Sequence, residues 1–172
     1  MNKIIEQHHE DRFVIKNYIN EIDSDFLKFY FDQNSHLCDN FFEHHKNSTL
    51  YLRFVKNETV KTLMHYYQLK GNFFVDQIFN TKQVNWDEAS IVRRIKGWSH
   101  PIHCDADQDI NFGSIVYLND DYGGGELLFE DGQKFKLEKN SCIFFRGDIK
   151  NRHEVLEITK GKRYTLPAWY TK

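Results

Sequence analysis

The stretch HPIHCDAD, residues 100–107, places two histidines, one cysteine and two aspartates in eight positions. Within it, His103 and Asp105 form an H-x-D motif. In extended chain, side chains two residues apart point to the same side, so these two can converge on one ion while Cys104 turns away. The best candidate for a third ligand is His153, 50 residues downstream. Two neutral imidazoles and one carboxylate form the facial triad that suits Fe(II) and leaves coordination positions open.

The other histidines and acids are expected to lie outside this metal site. His100 has no acid two positions later, so a polar loop position or a contact to a ligand residue is favoured for it. The remaining candidates are interpreted as solvent-exposed side chains: Asp107, Asp109, His8, His9, His44 and His45.

Arg163 follows His153 by ten residues, beyond a turn at Gly161, on what should be the neighbouring strand. Its planar guanidinium matches a carboxylate bidentately, and its burial would be costly unless an anion came to meet it. Thr165 shares its side of the strand, and Tyr117 could add a hydroxyl. Together these residues favour a dicarboxylic keto acid with one end on iron and the other on Arg163. The alternative is a surface charge on an edge strand.

The composition favours a single domain that does not rely on electrostatic binding. The chain has 172 residues, 16% of them aromatic, with 23 Lys and Arg against 25 Asp and Glu. This balance argues against a nucleic-acid or membrane partner, and no apolar run of about 18 residues could span a bilayer. Three cysteines without a CxxC pair, and a start without a signal-peptide core, predict a cytoplasmic protein. The oligomeric state is left open.

Two elements with helical spacing precede residue 88. The first is predicted over 23–33, with Asp23 and Ser24 able to cap it. The second is predicted over 57–69 after an N-cap at Asn57, and Gly71 is expected to end or bend it before helix resumes. Residues 12–19 are predicted to form an edge strand.

After residue 88 the pattern changes to short strands separated by turn residues. Seven segments have this character: 89–95, 113–119, 126–130, 133–138, 141–147, 152–159 and 163–170. No separator is long enough for a crossover helix, which argues against an alternating parallel sheet. We predict an α+β, mainly β fold: a double-stranded β-helix (jelly roll) of about eight strands, buttressed by N-terminal helices. Residues 1–172 would form one domain, with 1–87 as helical support and 88–172 as the catalytic core.

The segment from Ile91 to Tyr170 resembles the Fe(II)/2-oxoglutarate-dependent dioxygenases, most closely the prolyl 4-hydroxylase branch. The motifs HCD, IVYLND, GGGELLFEDG, FFRGD, HEVLEITKGKRYTL and AWY occur in the family's order. The resemblance implies that the iron ligands are His103, Asp105 and His153. It further implies that the far carboxylate of 2-oxoglutarate pairs with Arg163, helped by Tyr117 and Thr165, and that Trp169 lines the pocket.

By the same resemblance, the protein would use Fe(II), 2-oxoglutarate and O2, with ascorbate as a candidate reductant, to hydroxylate an unactivated C–H bond and release succinate and CO2. The expected substrate is a prolyl residue in a peptide or protein. The alternatives are a free amino acid or other small molecule and, outside the enzymes, a jelly-roll module that binds metal without turnover. A flipped nucleobase is disfavoured because the balanced charge offers no phosphate track.

Two further expectations concern the surroundings of the pocket. Many family members carry a Tyr before Pro-Gly where this chain has Ile95-Lys96-Gly97, so a hydrogen bond is expected to be missing or supplied by Trp98. The pocket lining would include Trp98, Phe145 and Trp169, and residues 71–87 and 97–101, with Trp86, would form a lid. The Gly-rich turn in 120–126 lacks the Lys-Ser/Thr and helix of a phosphate-binding loop.

Overall fold

The computed structural model describes residues 4–38, 48–81, 85–86, 89–105 and 110–171. These residues contain two α-helices, α1 (Glu21–Gln33) and α2 (Glu58–Phe79), and short 3-10 turns at Ser35–Leu37, Leu52–Phe54 and Ile149–Asn151. The strands, in chain order, are β1 (Ile4–His9), β2 (Arg12–Lys16), β3 (Thr49–Tyr51), β4 (Asn85–Trp86), β5 (Ser90–Ile95), β6 (His100–His103), β7 (Phe112–Tyr117), β8 (Gly123–Gly124), β9 (Leu127–Phe129), β10 (Lys134–Phe135), β11 (Cys142–Arg146), β12 (His153–Val155), β13 (Ile158–Lys160) and β14 (Lys162–Thr171).

The strands form a large sheet and a small sheet, both antiparallel. The order in the large sheet is β1-β2-β11-β7-β14-β5-β3, with β4 paired to β14, and the order in the small sheet is β10-β9-β12-β6. A separate two-stranded ribbon joins β13 to β8. Eight strands make up the two halves of a jelly roll: β5, β7, β11 and β14 in the large sheet, and β6, β9, β10 and β12 in the small one. The predicted mainly β jelly roll is therefore confirmed.

Strand β14 separates the helical layer from the interior of the jelly roll. Alternate residues point to opposite faces of a strand. Tyr164, Leu166, Ala168 and Tyr170 belong to the apolar cluster that contains the buried residues of α1 and α2. Arg163, Thr165, Pro167 and Trp169 line a cavity on the other face. The helices thus support the sheet from behind, and the cavity opens in front of it.

Asparagine side chains cap both helices at their N-termini. The Asn20 side chain accepts a hydrogen bond from the Asp23 backbone N–H at 2.8 Å, and that of Asn57 accepts one from Val60 at 3.1 Å. The cap predicted at Asn57 is confirmed. The predicted start of α1 was two residues late, because Asn20 satisfies the free N–H groups of the first turn and leaves Asp23 inside the helix.

The prediction that Gly71 ends or bends the second helix is wrong. Helix α2 runs through Gly71 and ends at Asn80, which adopts the left-handed conformation at φ 50°. A Cβ atom at position 71 would collide with the Tyr170 hydroxyl of β14. Glycine is therefore needed for close packing of α2 on the large sheet. Residues 71–79 are helical and cannot belong to a lid loop, while the side chain of Trp86 lies outside the described part of the chain.

Two strand predictions also need correction. Strand β2 is not at an edge, because β1 pairs with it on one side and β11 on the other. The predicted strand 152–159 is split into β12, which stays in the small sheet, and β13, which leaves to pair with β8. Within the described residues, neither helix is both long and apolar enough to cross a membrane.

Candidate metal centre and cavity

Two adjacent strands of the small sheet bring the histidines of the predicted triad together. Strands β6 and β12 are antiparallel, and their register places His103 directly opposite His153. The two imidazole centroids are 4.4 Å apart. Asp105 follows just beyond the end of β6 and is buried, with 6% of its surface exposed. One potential ligand atom from each of these three residues lies within 4.8 Å of the other two.

Backbone carbonyls fix the orientation of both imidazoles. His103 Nδ1 donates to the Pro101 carbonyl at 3.0 Å, and His153 Nδ1 donates to the Asn151 carbonyl at 2.9 Å. Because a carbonyl oxygen can only accept, each Nδ1 carries the proton and each Nε2 keeps its lone pair. This is the arrangement by which metal-binding histidines are usually held.

The charge of the cluster also fits a cation. Burial raises the pKa of Asp105, and burial lowers the pKa of His153 to about 4, so His153 is neutral at pH 7. The Asp105 Oδ2 atom is buried and has no hydrogen-bond partner among the described residues. A buried carboxylate oxygen without a partner is costly unless a cation is bound to it. Two imidazole nitrogens and this carboxylate therefore fit a first-row divalent metal.

The neighbouring polar residues lie outside the cluster. The Cys104 thiol turns away, as predicted, and donates to the Gly147 carbonyl at 3.2 Å. His100 is half-buried and contacts the His103 ring at a centroid distance of 4.3 Å. His8 is exposed and His9 is half-buried. The remaining four, Asp107, Asp109, His44 and His45, lie outside the described residues.

Arg163 is buried in β14, with 3% of its surface exposed, so the alternative of a surface charge is wrong. Its Nη2 donates to the Tyr117 hydroxyl at 3.3 Å, and its Nε has no partner among the described residues. Burial alone would lower its pKa, but the phenol groups of Tyr117 and Tyr122 raise the pKa above the usual value. The guanidinium therefore stays charged, and Tyr122 is a neighbour that the sequence did not indicate.

One cavity between the sheets contains both the metal cluster and Arg163. Its walls include Thr165 and the three rings predicted to line it: Trp98, Phe145 and Trp169. Tyr117 lies behind Arg163, fully buried, and is not part of the wall. The Ile95 side chain is 55% exposed, so position 95 faces solvent rather than the cavity.

Arg94 is a cavity residue that the sequence analysis missed. It lies opposite Arg163 in the β5–β14 register, is 6% exposed, and lines the same cavity. The signal was present in the sequence, because Ser90, Val92 and Arg94 alternate along one face of β5 and all three line the cavity. An arginine on the buried face of a strand is rare enough to single out.

Comparison with known proteins identifies a matching family and several relatives. Residues 91–171 match the family model described as the 2OG-Fe(II) oxygenase superfamily, which confirms the resemblance. The chain is 30% identical over 95 residues to human prolyl 3-hydroxylase 2, and the match covers 42% of this chain and 13% of that protein. It is also 30% identical over 86 residues to a PKHD-type hydroxylase of Prochlorococcus marinus, covering 45% of this chain and 38% of the relative. The chain thus spans less than half the length of either relative.

Solved structures share the fold at lower identity. A viral collagen prolyl hydroxylase from Paramecium bursaria Chlorella virus-1, solved as a 2OG complex, superposes with a TM-score of 0.75 at 19% identity. That match covers 92% of this chain and 94% of the viral one. A Pseudomonas putida prolyl-4-hydroxylase superposes with a TM-score of 0.71 at 14% identity, covering 94% of this chain and 92% of that one. At these identities the two structures establish the jelly-roll fold.

Proposed function

Residues 91–171 match the 2OG-Fe(II) oxygenase superfamily, and from that match we propose that the protein is an Fe(II)- and 2-oxoglutarate-dependent dioxygenase. It would hydroxylate an unactivated C–H bond, in the first place that of a prolyl residue in a peptide or protein. The observation that carries this proposal is the presence, in one cavity, of a two-histidine, one-carboxylate cluster and a buried arginine.

In this proposal His103, Asp105 and His153 hold Fe(II). Arg163 binds the far carboxylate of 2-oxoglutarate. The Tyr117 hydroxyl accepts a hydrogen bond from the guanidinium and orients it, and Thr165 lies next to Arg163 on the cavity wall. Bound iron, together with 2-oxoglutarate and O2, supplies the oxidation of C–H to C–OH, with succinate and CO2 as the other products. Two imidazoles and one carboxylate leave about three positions on a six-coordinate ion for these reactants.

The protein's own contribution is to orient groups and exclude water. The Phe145 ring packs edge-on against the His153 ring at a centroid distance of 4.9 Å, which restricts the imidazole. Trp98 and Trp169 also line the cavity, and the Trp169 side chain hydrogen-bonds to Asp105. A dry cavity strengthens the pairing of Arg163 with a carboxylate and protects a reactive oxidant from side reactions.

The similarity to prolyl hydroxylases supports a prolyl substrate. The human relative is a prolyl 3-hydroxylase, and the two similar structures are a collagen prolyl hydroxylase and a prolyl-4-hydroxylase. A free amino acid or other small molecule is the second candidate, because the cavity lies between the two sheets. We further propose that the chain works as one domain, with residues 1–87 supporting a core at 88–172. A reducing compartment such as the cytoplasm suits its three buried, free thiols.

The proposal is tested by succinate formation from 2-oxoglutarate in the presence of Fe(II), O2 and ascorbate. Proline-rich peptides and free proline are offered in parallel, and the product is examined by mass for the gain of one oxygen. Asp105→Ala and His103→Ala should each lower turnover by about a hundredfold or more, because each removes a metal ligand. The control is His8→Ala, which changes an exposed histidine distant in sequence from the cluster and should retain activity. Full activity in Asp105→Ala, or no succinate from the unaltered protein with any substrate, would refute the proposed function.

A further inference from the structure

Arg94 puts a second buried cation into the cavity. It lies directly opposite Arg163 in neighbouring antiparallel strands, so the two side chains leave the sheet on the same face. Like charges placed opposite each other destabilise a sheet. Burial and, to a lesser extent, the neighbouring Arg163 lower the pKa of Arg94 to about 10. Arg94 is still charged at pH 7, and no carboxylate of the described residues pairs with either arginine.

The hydrogen bonds of Arg94 leave one edge of its guanidinium free. Its Nη1 donates to the Ser48 carbonyl and to Thr49 Oγ1, each at 3.2 Å, and also to the Ser48 hydroxyl. Its Nε is buried without a partner, and Nη2 makes no hydrogen bond within the described residues. Nε and Nη2 are the two donors of the side-on fork that binds a carboxylate bidentately. Nη1 therefore anchors the side chain, and the Nε–Nη2 edge remains available to a ligand.

A row of ring contacts connects the Arg94 guanidinium to the metal cluster. The guanidinium carbon lies 4.5 Å from the centroid of the Trp98 ring, which contacts the ring of His100 at 5.9 Å. The His100 ring in turn contacts that of His103. Trp98 and His100 are only partly buried, so this row of rings leads from Arg94 past the cluster to solvent.

The co-substrate does not account for Arg94. Under the proposed function, one carboxylate of 2-oxoglutarate is bound by the metal and the other by Arg163. The second arginine then has no anion of its own, and a buried, unpaired charge is strongly destabilising. An anionic group from the other substrate would supply the missing partner.

We propose that Arg94 binds a carboxylate of the substrate that is hydroxylated, so that this substrate carries an anionic group. The assignment of the second anion to the hydroxylated substrate rests on the proposed function, because that function gives Arg163 to 2-oxoglutarate. The carboxylate has two possible sources: the α-carboxylate of a free amino acid, or an acidic side chain next to the target residue in a peptide.

Binding of matched probes tests this proposal without requiring turnover. One pair is L-proline and L-prolinamide; the other is a capped glutamyl-prolyl peptide and its glutaminyl-prolyl counterpart. Calorimetry under anaerobic conditions, with Fe(II) and 2-oxoglutarate bound, should show at least about tenfold tighter binding of the member that carries the carboxylate in one of the pairs. The pair that discriminates identifies the source of the carboxylate. Succinate formation is measured separately, so its failure would count against the proposed function alone.

Three variants locate the effect at residue 94. Arg94→Gln should remove the preference for the probe with the carboxylate, and Arg94→Lys, which keeps the charge but loses the fork, should retain only part of that preference. The matched control is Arg93→Gln, one residue earlier on the opposite face of β5, where the side chain pairs with Asp32 at 3.1 Å. This control should keep the full preference.

Three results would overturn the proposal. The first is an unaltered protein that binds both members of each pair equally, or binds neither; this comparison needs no variant and holds even if Arg94→Gln fails to fold. The second is an Arg94→Gln protein that keeps the preference. The third is an Arg94→Gln protein that loses affinity for 2-oxoglutarate as strongly as Arg163→Gln does, which would assign both arginines to the co-substrate.

Discussion

At the scale of single residues, the side chains of the site differ from nearby side chains of the same type in the residues that they contact. His103 and His100 are three positions apart and both carry Nδ1 next to the Pro101 carbonyl, yet only His103 lies opposite His153 and within reach of Asp105. Arg163 and Arg152 lie on the same stretch of chain, but Arg152 pairs with Glu130 at the surface at 3.0 Å. Arg163 is buried and lacks a carboxylate partner among the described residues.

This difference leads to a prediction for Arg163. Arg163→Gln should raise the concentration of 2-oxoglutarate needed for half-maximal succinate formation by about 30-fold or more, because the fork that meets the far carboxylate is lost. Arg163→Lys should cause a smaller increase, since the charge remains. The control is Arg152→Gln, which removes an exposed pair of little energetic value. An unchanged requirement in Arg163→Gln would show that the co-substrate is held elsewhere.

At the scale of elements, the site depends on register and on close packing behind the sheet. The β6–β12 register places the two histidines opposite each other, and the β5–β14 register does the same for the two arginines. Strand β14 is held in place from behind by α2, where Gly71 approaches Tyr170. The Tyr170 hydroxyl lies 2.9 Å from the Ser114 hydroxyl of β7, so this contact joins the helix to two strands of the large sheet.

Replacement of Gly71 tests this packing. In an open helical position Gly→Ala stabilises a protein by about 1 kcal/mol. Here Gly71→Ala should instead destabilise it by roughly 1–3 kcal/mol, because the added methyl group meets the Tyr170 side chain. The measurement is the free energy of unfolding in urea.

The same substitution in a Tyr170→Phe protein distinguishes a collision with the Tyr170 hydroxyl from a general effect of alanine on the helix. In Tyr170→Phe protein the hydroxyl is absent, so Gly71→Ala should cost less than it does in the unaltered protein. Stabilisation by Gly71→Ala in the unaltered protein, or the same cost in both backgrounds, would contradict the packing described for α2.

At the scale of the whole molecule, the sequence predicted the layers better than their contacts. Alternation after residue 88 predicted most strands of the jelly roll, since each has one face in an apolar core. It could not indicate β1, whose segment IIEQHH mixes polar and apolar residues as an outer strand of the sheet does. The role of Gly71 depends on a residue 99 positions away, and local pattern cannot reveal such a contact.

In the candidate site, too, the sequence predicted which residues come together better than it predicted their detailed contacts. The types and spacing of His103, Asp105 and His153 were sufficient to predict a cluster, because antiparallel strands bring distant histidines together. The free Nε–Nη2 edge of Arg94 was not predictable from the sequence. Which donors of its guanidinium stay free depends on the hydrogen bonds that Nη1 makes to Ser48 and Thr49.

Anomalous X-ray diffraction from crystals grown anaerobically with Fe(II) and 2-oxoglutarate would locate both the metal and the co-substrate. We expect one iron peak about 2.0–2.3 Å from a nitrogen of His103, a nitrogen of His153 and an oxygen of Asp105. We also expect the far carboxylate of 2-oxoglutarate to pair with Arg163. Iron bound elsewhere, or a keto acid that leaves Arg163 without an anion, would contradict the proposed site.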